Sequence, residues 1–176
     1  DTAWLSGPAT FWYGDVFNGT QITDMQNNYL TLFFRRDFTV LNPADIESLI
    51  LNARCDDGFI AWINGVEVAR YNVPEGDLPF TGTASGAANP DPAEFQEFVL
   101  SNPKVVLKSG RNLLAVQVFN VNYTSSDIVW DASLVATIDQ SAPALATLYP
   151  PQGATIRELT SVEVEFSEAV TGVDAG

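Results

Sequence analysis

The sequence predicts an all-β fold, an antiparallel β-sandwich or jelly roll, and three observations carry that prediction. Apolar residues recur at every second position in several segments, the period of a strand with one buried face. Turn-forming pairs such as Asp57-Gly58 and Asn64-Gly65 punctuate those segments at short intervals. No long segment holds a helical period.

Taken in order, Phe11 to Asn28 reads as a connection, and Tyr29 to Val40 as the first strand, with Leu32, Phe34, Phe38 and Val40 on one face. A turn at Asn42-Pro43 leads to Ile46–Cys55, where Leu49, Leu51, Ala53 and Cys55 share a face. Arg54 to Pro74 is the clearest passage. Phe59–Ile63 and Val66–Tyr71 are joined by Asn64-Gly65, two residues that tolerate the positive φ of a tight hairpin turn. Phe95–Leu100 is a shorter strand, Asn112–Asn120 carries Leu114, Val116 and Val118, and Ile128–Ile138 carries Trp130, Ala132, Leu134 and Ala136. Seven such strands make a sandwich over residues 1–139.

Residues 140–143, containing Ser141-Ala142-Pro143, read as a linker, and 144–176 as a second, partial β segment. That segment has a strand at Leu145–Tyr149, a Pro150-Pro151-Gln152-Gly153 turn and a strand with Val162, Val164 and Phe166 inward. It is too short to bury a core alone. The abrupt opening Asp1-Thr2-Ala3-Trp4 reads as a boundary inside a longer protein.

With 176 residues and 46% hydrophobic content, the chain can bury a real core. No apolar run approaches the roughly 18 residues of a membrane span, and no basic-then-apolar leader is seen, so membrane insertion is not expected. A formal charge of −14, from 22 acidic against 8 basic residues, repels phosphate backbones and argues against nucleic acid. Histidine is absent, which removes Ser-His-Asp and Cys-His catalysis and His-ligated metals. Cys55 is a small buried apolar residue on this reading, since Asp56 and Asp57 disfavour a thiolate. Carboxylate pairs can hydrolyse glycosides, but these acids are spread over turns and strand faces, so no catalytic residue and no enzyme activity is expected.

Consecutive antiparallel strands leave their connections alternately at two ends. With the start of the Tyr29 strand as the top, segments 11–28, 56–58, 72–94 and 121–127 gather there, and 41–45, 64–65 and 101–110 lie at the bottom. The top loops bring aromatic rings and amides, which suit the C–H face and hydroxyls of a neutral glycan. Trp12, Tyr13 and Tyr71 are the expected stacking surfaces, Tyr123 a further aromatic candidate, and Asp57, Asn72, Asn122 and Asp127 the hydroxyl partners. The competing structural reading has Phe11, Trp12 and Phe17 pin the first loop as core. Asp15, Asp56, Asp57 and Asp127 could form an oxygen cage for a structural calcium ion, although Asp-Asp-Gly is also explained as a turn; no cofactor is required. Arg36, on the Phe34 and Phe38 face, is expected to pair with a carboxylate at a sheet edge. The sequons Asn18-Gly19-Thr20 and Asn122-Tyr123-Thr124 matter only in a host that glycosylates.

Several motifs in order, Trp12-Tyr13-Gly14-Asp15, Phe33-Phe34-Arg35-Arg36-Asp37-Phe38, Asp56-Asp57-Gly58, Ile63-Asn64-Gly65-Val66-Glu67-Val68 and Gly110-Arg111-Asn112-Leu113-Leu114-Ala115-Val116, resemble a galactose-binding-domain-like jelly-roll module. Such modules recur in large secreted bacterial proteins, including ones with lamin-tail-like or CotH-type kinase domains. Pro150 to Thr155 and Val164 to Val170 resemble the start of a bacterial immunoglobulin-like repeat. The resemblance implies a secreted or cell-surface (extracellular) location, a non-catalytic accessory role beside neighbouring domains of a parent chain, and sugar or calcium at the sandwich edge. The alternatives are a structural spacer and a protein–protein adhesion module.

Overall fold

The computed structural model describes residues 4–90, 93–138, 141–168 and 170. The chain forms two compact units, Asp1–Ile138 and Asp139–Gly176. The first is an all-β sandwich. Its strands are β1 (Phe11–Tyr13), β2 (Thr20–Gln21), β3 (Thr31–Val40), β4 (Ile46–Asp56), β5 (Gly58–Ile63), β6 (Val66–Tyr71), β7 (Gln96–Leu100), β8 (Gly110–Phe119) and β9 (Ile128–Ile138). One sheet has the order β2-β1-β9-β4-β7 and the other β3-β8-β5-β6. Only the short β1–β2 pair is parallel; the remaining pairings of the two sheets are antiparallel.

Strand alternation sets which side chains meet between the sheets. In β4, Leu49, Leu51, Ala53 and Cys55 point inward and are buried, as their shared face requires. They meet Phe59, Ala61 and Ile63 of β5 and Val116 and Val118 of β8 in one core with Trp130. Phe59 is fully buried at its centre, its ring 5.0 Å from Phe98, 5.1 Å from Trp130 and 6.1 Å from Tyr71. Full burial of an apolar side chain of this size contributes about 1.5–3 kcal/mol.

Phe59–Ile63 is apolar without interruption because it is buried on both faces. The long connection after β6 folds back over the outer side of its sheet, covering Ile60 and Phe119 with Ala84, Val73 and Leu78. Thr31 Oγ1 and Gln117 Nε2 hold that loop by donating to the carbonyls of Phe80 (2.8 Å) and Pro79 (3.2 Å).

Turn chemistry fastens the bottom. Asn64 (φ 52°) and Gly65 (φ 86°) make the β5–β6 turn, and the Asn64 amide also ties in the neighbouring loop. Its Nδ2 donates to the Val106 carbonyl and to Asn112 Oδ1, both at 2.8 Å, and its Oδ1 accepts from the Leu113 N–H at 3.1 Å. A single helical turn, α1 (Pro103–Val106), stands where an irregular connection was expected.

Expectations for the first loop and for Arg36 are corrected here. Segment 11–28 is not all loop, because Phe11–Tyr13 pairs with Ile128–Trp130 and extends the sheet. Arg36 is exposed, and the ion pair at this edge joins its neighbour Asp37 to Arg111 across the β3–β8 ladder at 2.7 Å.

The second unit holds an antiparallel pair, β10 (Leu145–Tyr149) with β11 (Glu163–Phe166). Thr147 Oγ1 donates to Glu165 Oε2 at 2.9 Å, and just beyond the ladder the Ala144 N–H donates to Ser167 Oγ (2.9 Å) while the Ser167 N–H donates to the Ala144 carbonyl (2.8 Å). Val162 and Val164, expected inward, are about half exposed, since two strands offer no opposing layer. Ala169 and residues 171–176 of the immunoglobulin-like resemblance lie outside the described residues.

Candidate functional site

The pairings put Thr31 beside Phe119 and Asp56 beside Val129 at one end, and Val40 beside Gly110 at the other. Segments 11–28 and 56–58, the described residues of 72–94, and 121–127 therefore share the top end, as the alternation of connections requires. Hydrogen bonds join them. The buried Asp57 carboxylate accepts from the Ala88 N–H (2.7 Å, Oδ1) and the Val121 N–H (2.6 Å, Oδ2), latching two long loops to the β4–β5 turn. Asn72, with φ 49°, donates from Nδ2 to the carbonyls of Asp57 (3.0 Å) and Gly86 (2.7 Å).

Tyr13 points into the sandwich and is 6% exposed. Its hydroxyl accepts from Asn120 Nδ2 at 2.7 Å and donates to the Ser125 carbonyl at 3.1 Å. Burial raises its pKa, the Asn120 hydrogen bond opposes this, and the charges of Asp127, Asp56 and Asp57 raise it further. Gln26 Nε2 donates to the same Ser125 carbonyl at 3.1 Å, and the Asn27 N–H donates to the Tyr123 carbonyl at 2.8 Å.

Between these contacts lies a recess of about 380 Å³, lined by Tyr13, Gly14, Gln21, Ile22, Thr23, Gln26 and Ser126. Every lining side chain is uncharged. In a chain of net charge −14, that favours a neutral ligand carrying hydroxyl or amide groups. The edge strand β2 and the two residues after it supply Gln21, Ile22 and Thr23, while Gln26 Nε2 is held by the Ser125 carbonyl.

The candidate residues divide between two edges of the sandwich. Tyr13 lines the recess and Tyr123, 47% exposed, stands on the adjoining loop. Tyr71 lies on the far side, its ring 5.8 Å from Phe98 and its hydroxyl accepting from Gln96 Nε2 at 3.3 Å. Trp12 projects from the opposite face of its strand and is half-buried with an unpartnered, buried Nε1. Tyr13 therefore offers the recess little surface, its ring enclosed by the core and its hydroxyl engaged by Asn120 and Ser125. Asn122 is exposed and closes an Asx turn, its Oδ1 accepting from the Thr124 N–H (2.8 Å) and hydroxyl (2.9 Å). Asp127 Oδ1 accepts from Ser126 Oγ at 2.9 Å.

Asp56 is buried at the top of β4, where its carboxyl is pushed up to about 9 by burial first and then by neighbouring Asp57 and Asp127. Burial likewise raises the Cys55 thiol well above its ordinary range. Asp15 is half-buried in the β1–β2 connection. Among the described residues no group of three or more acidic or thiol side chains is arranged to hold a metal ion.

Gln21, Thr23, Gln26 and Ser126 carry no sequence signal of a site. Uncharged polar residues are ordinary in connections, and these converge only because β2 returns beside β1 and the β8–β9 loop packs against it.

No family model matches the chain, and no curated protein matches it. Two solved structures are similar over most of it. An α-L-rhamnosidase of Streptomyces avermitilis, complexed with L-rhamnose, has a TM-score of 0.41 at 17% identity, covering 82% of this chain and 12% of that one. The α-L-rhamnosidase from Dictyoglumus thermophilum has a TM-score of 0.40 at 12% identity, covering 80% and 12%. The chain thus spans about an eighth of either enzyme. The all-β sandwich assignment rests on the sheets themselves.

Proposed function

We propose that this chain is a non-catalytic accessory module that binds a neutral glycan, weakly, in the recess beside β2. The observation that carries the reading is the uncharged lining of Gln21, Thr23, Gln26, Ser126 and Tyr13 on a strongly acidic chain. Amides and hydroxyls present donors and acceptors to sugar hydroxyls, and the recess is at the small end of the roughly 300–1,000 Å³ of ligand sites, so one or two sugar rings are the fitting size. Exposed Tyr123 on the adjoining loop offers a ring for the sugar's C–H face. A secreted or cell-surface setting beside other domains goes with this reading. Among the described residues no helix is long and apolar enough to cross a membrane.

The test is a glycan-array screen of the purified chain, with calcium and with chelator, followed by titration of Gln26→Ala and Tyr123→Ala. Binding reduced at least about tenfold by Gln26→Ala, the loss of one or two hydrogen bonds, supports the recess. Binding indifferent to both substitutions refutes it, and loss with chelator adds a calcium requirement. One observation favours a structural spacer instead: Tyr13, Tyr71 and the partly buried Phe11 face the core. A folded, monomeric protein with a blank array supports that second reading.

A further inference from the structure

Three places in the chain carry the dipeptides whose side-chain carbonyl is most readily attacked by the following backbone nitrogen: Asn18-Gly19, Asp57-Gly58 and Asn64-Gly65. Glycine lacks the side chain that would otherwise crowd the approach. The fold treats the three differently. Asn64 is held by three hydrogen bonds, two from Nδ2 and one to Oδ1, so its amide cannot turn toward Gly65. Asp57 is 2% exposed and both carboxylate oxygens accept backbone N–H groups. Asn18 is exposed in the bend between β1 and β2, and among the described residues its side chain makes no hydrogen bond.

We propose that Asn18 is a site of spontaneous deamidation and isoaspartate formation, which the fold leaves open while closing Asn64 and Asp57. Base in solvent removes the Gly19 amide proton, and the nitrogen attacks Asn18 Cγ. A C–N bond forms, ammonia leaves, and a five-membered succinimide results. Water then opens either carbonyl, giving aspartate or isoaspartate; the sum is asparagine plus water to acid plus ammonia.

The position matters to the fold around it. The Thr10 N–H donates to the Asn18 carbonyl at 3.3 Å, and the Thr20 and Ile22 N–H groups donate to the carbonyls of Thr10 (2.8 Å) and Trp12 (2.7 Å). Gly19 lies against the Thr10 backbone so closely that a Cβ there would overlap it. Isoaspartate inserts one extra methylene into the main chain at this point, so the β1–β2 pairing loses its register and Gln21 and Ile22 lose their support. Deamidation at Asn18 is therefore a slow, irreversible loosening of the edge strand.

The experiment is peptide mapping by mass spectrometry after incubation of the whole chain at mildly alkaline pH, folded and in concentrated urea, with Asn18→Gln to assign the peptide. In the fold, Asn18 converts and Asn64 converts on the order of a hundredfold more slowly, three hydrogen bonds at roughly a factor of five each. In urea the two rates converge. Amide exchange at Thr20 and Ile22 accelerates in the isoaspartate fraction. Equal rates for Asn18 and Asn64 in the folded chain, or an Asn18 that converts only in urea, overturn the proposal.

Discussion

Replacing Asp56 by Asn tests the buried acid at the top of β4. Its carboxyl is pushed up to about 9 from an ordinary 3.8, by burial first, then by the hydrogen bond with Asp57 and the charges of Asp57 and Asp127, so at neutral pH it keeps its proton in the folded chain and loses it on unfolding. A folded state that binds more protons than the unfolded one loses stability as pH rises. Asp56 thus contributes fully below about pH 4, and its contribution falls steadily through neutrality until pH passes about 9. Between the ordinary value and pH 7 lie about three pH units, worth about 4 kcal/mol; solvent screening at the end of the sheet brings this to about 2–4 kcal/mol. Asn is neutral in both states and has nearly the same shape. Urea unfolding followed by tryptophan fluorescence suits the measurement, because Trp4, Trp12, Trp62 and Trp130 all lie in the first unit. From about pH 4 to pH 7, the Asp56→Asn midpoint should gain on the natural chain by about 1–2 M. A constant offset between the two proteins across that range would refute the reasoning, as would a natural chain that gains on the variant.

Phe59→Ala removes the ring that touches Tyr71, Phe98 and Trp130, and should cost about 3–5 kcal/mol in the same urea assay; a loss under about 1 kcal/mol would mean the core is not centred there. Asp57→Ala strips the acceptor from the Ala88 and Val121 N–H groups, at about 1.5–3 kcal/mol each, with faster amide exchange concentrated at those two positions. Uniform exchange changes would show that Asp57 does not act as the latch.

The hairpin of β5 and β6 was legible in the chain, because the Asn64-Gly65 turn and the β-prone runs on either side of it are local properties; the irregularity of the ladder between Ala61 and Trp62 was not. The sharing of one end by four connections followed from antiparallel order alone. Two short edge strands were not legible. Phe11-Trp12-Tyr13 has no apolar alternation, and Thr20-Gln21 is a two-residue strand that exists only as a parallel neighbour of β1. Asp56-Asp57-Gly58 read as a turn, whereas the donors to the Asp57 carboxylate come from Ala88 and Val121, far along the chain.

What the sequence determined by itself is the all-β class, the inward face of each long strand, the absence of imidazole chemistry and the end at which loops gather. Period, turn propensity and composition act between neighbours in the chain, so they survive without tertiary information. The tertiary structure decided which aromatic rings stay outside, where the acids are buried, and that Gln21, Gln26 and Ser126 meet around Tyr13. Those are contacts between segments roughly a hundred residues apart. Their outcome depends on how loops fold over the sheet ends, and burial or an orphaned donor there outweighs any preference a single residue carries.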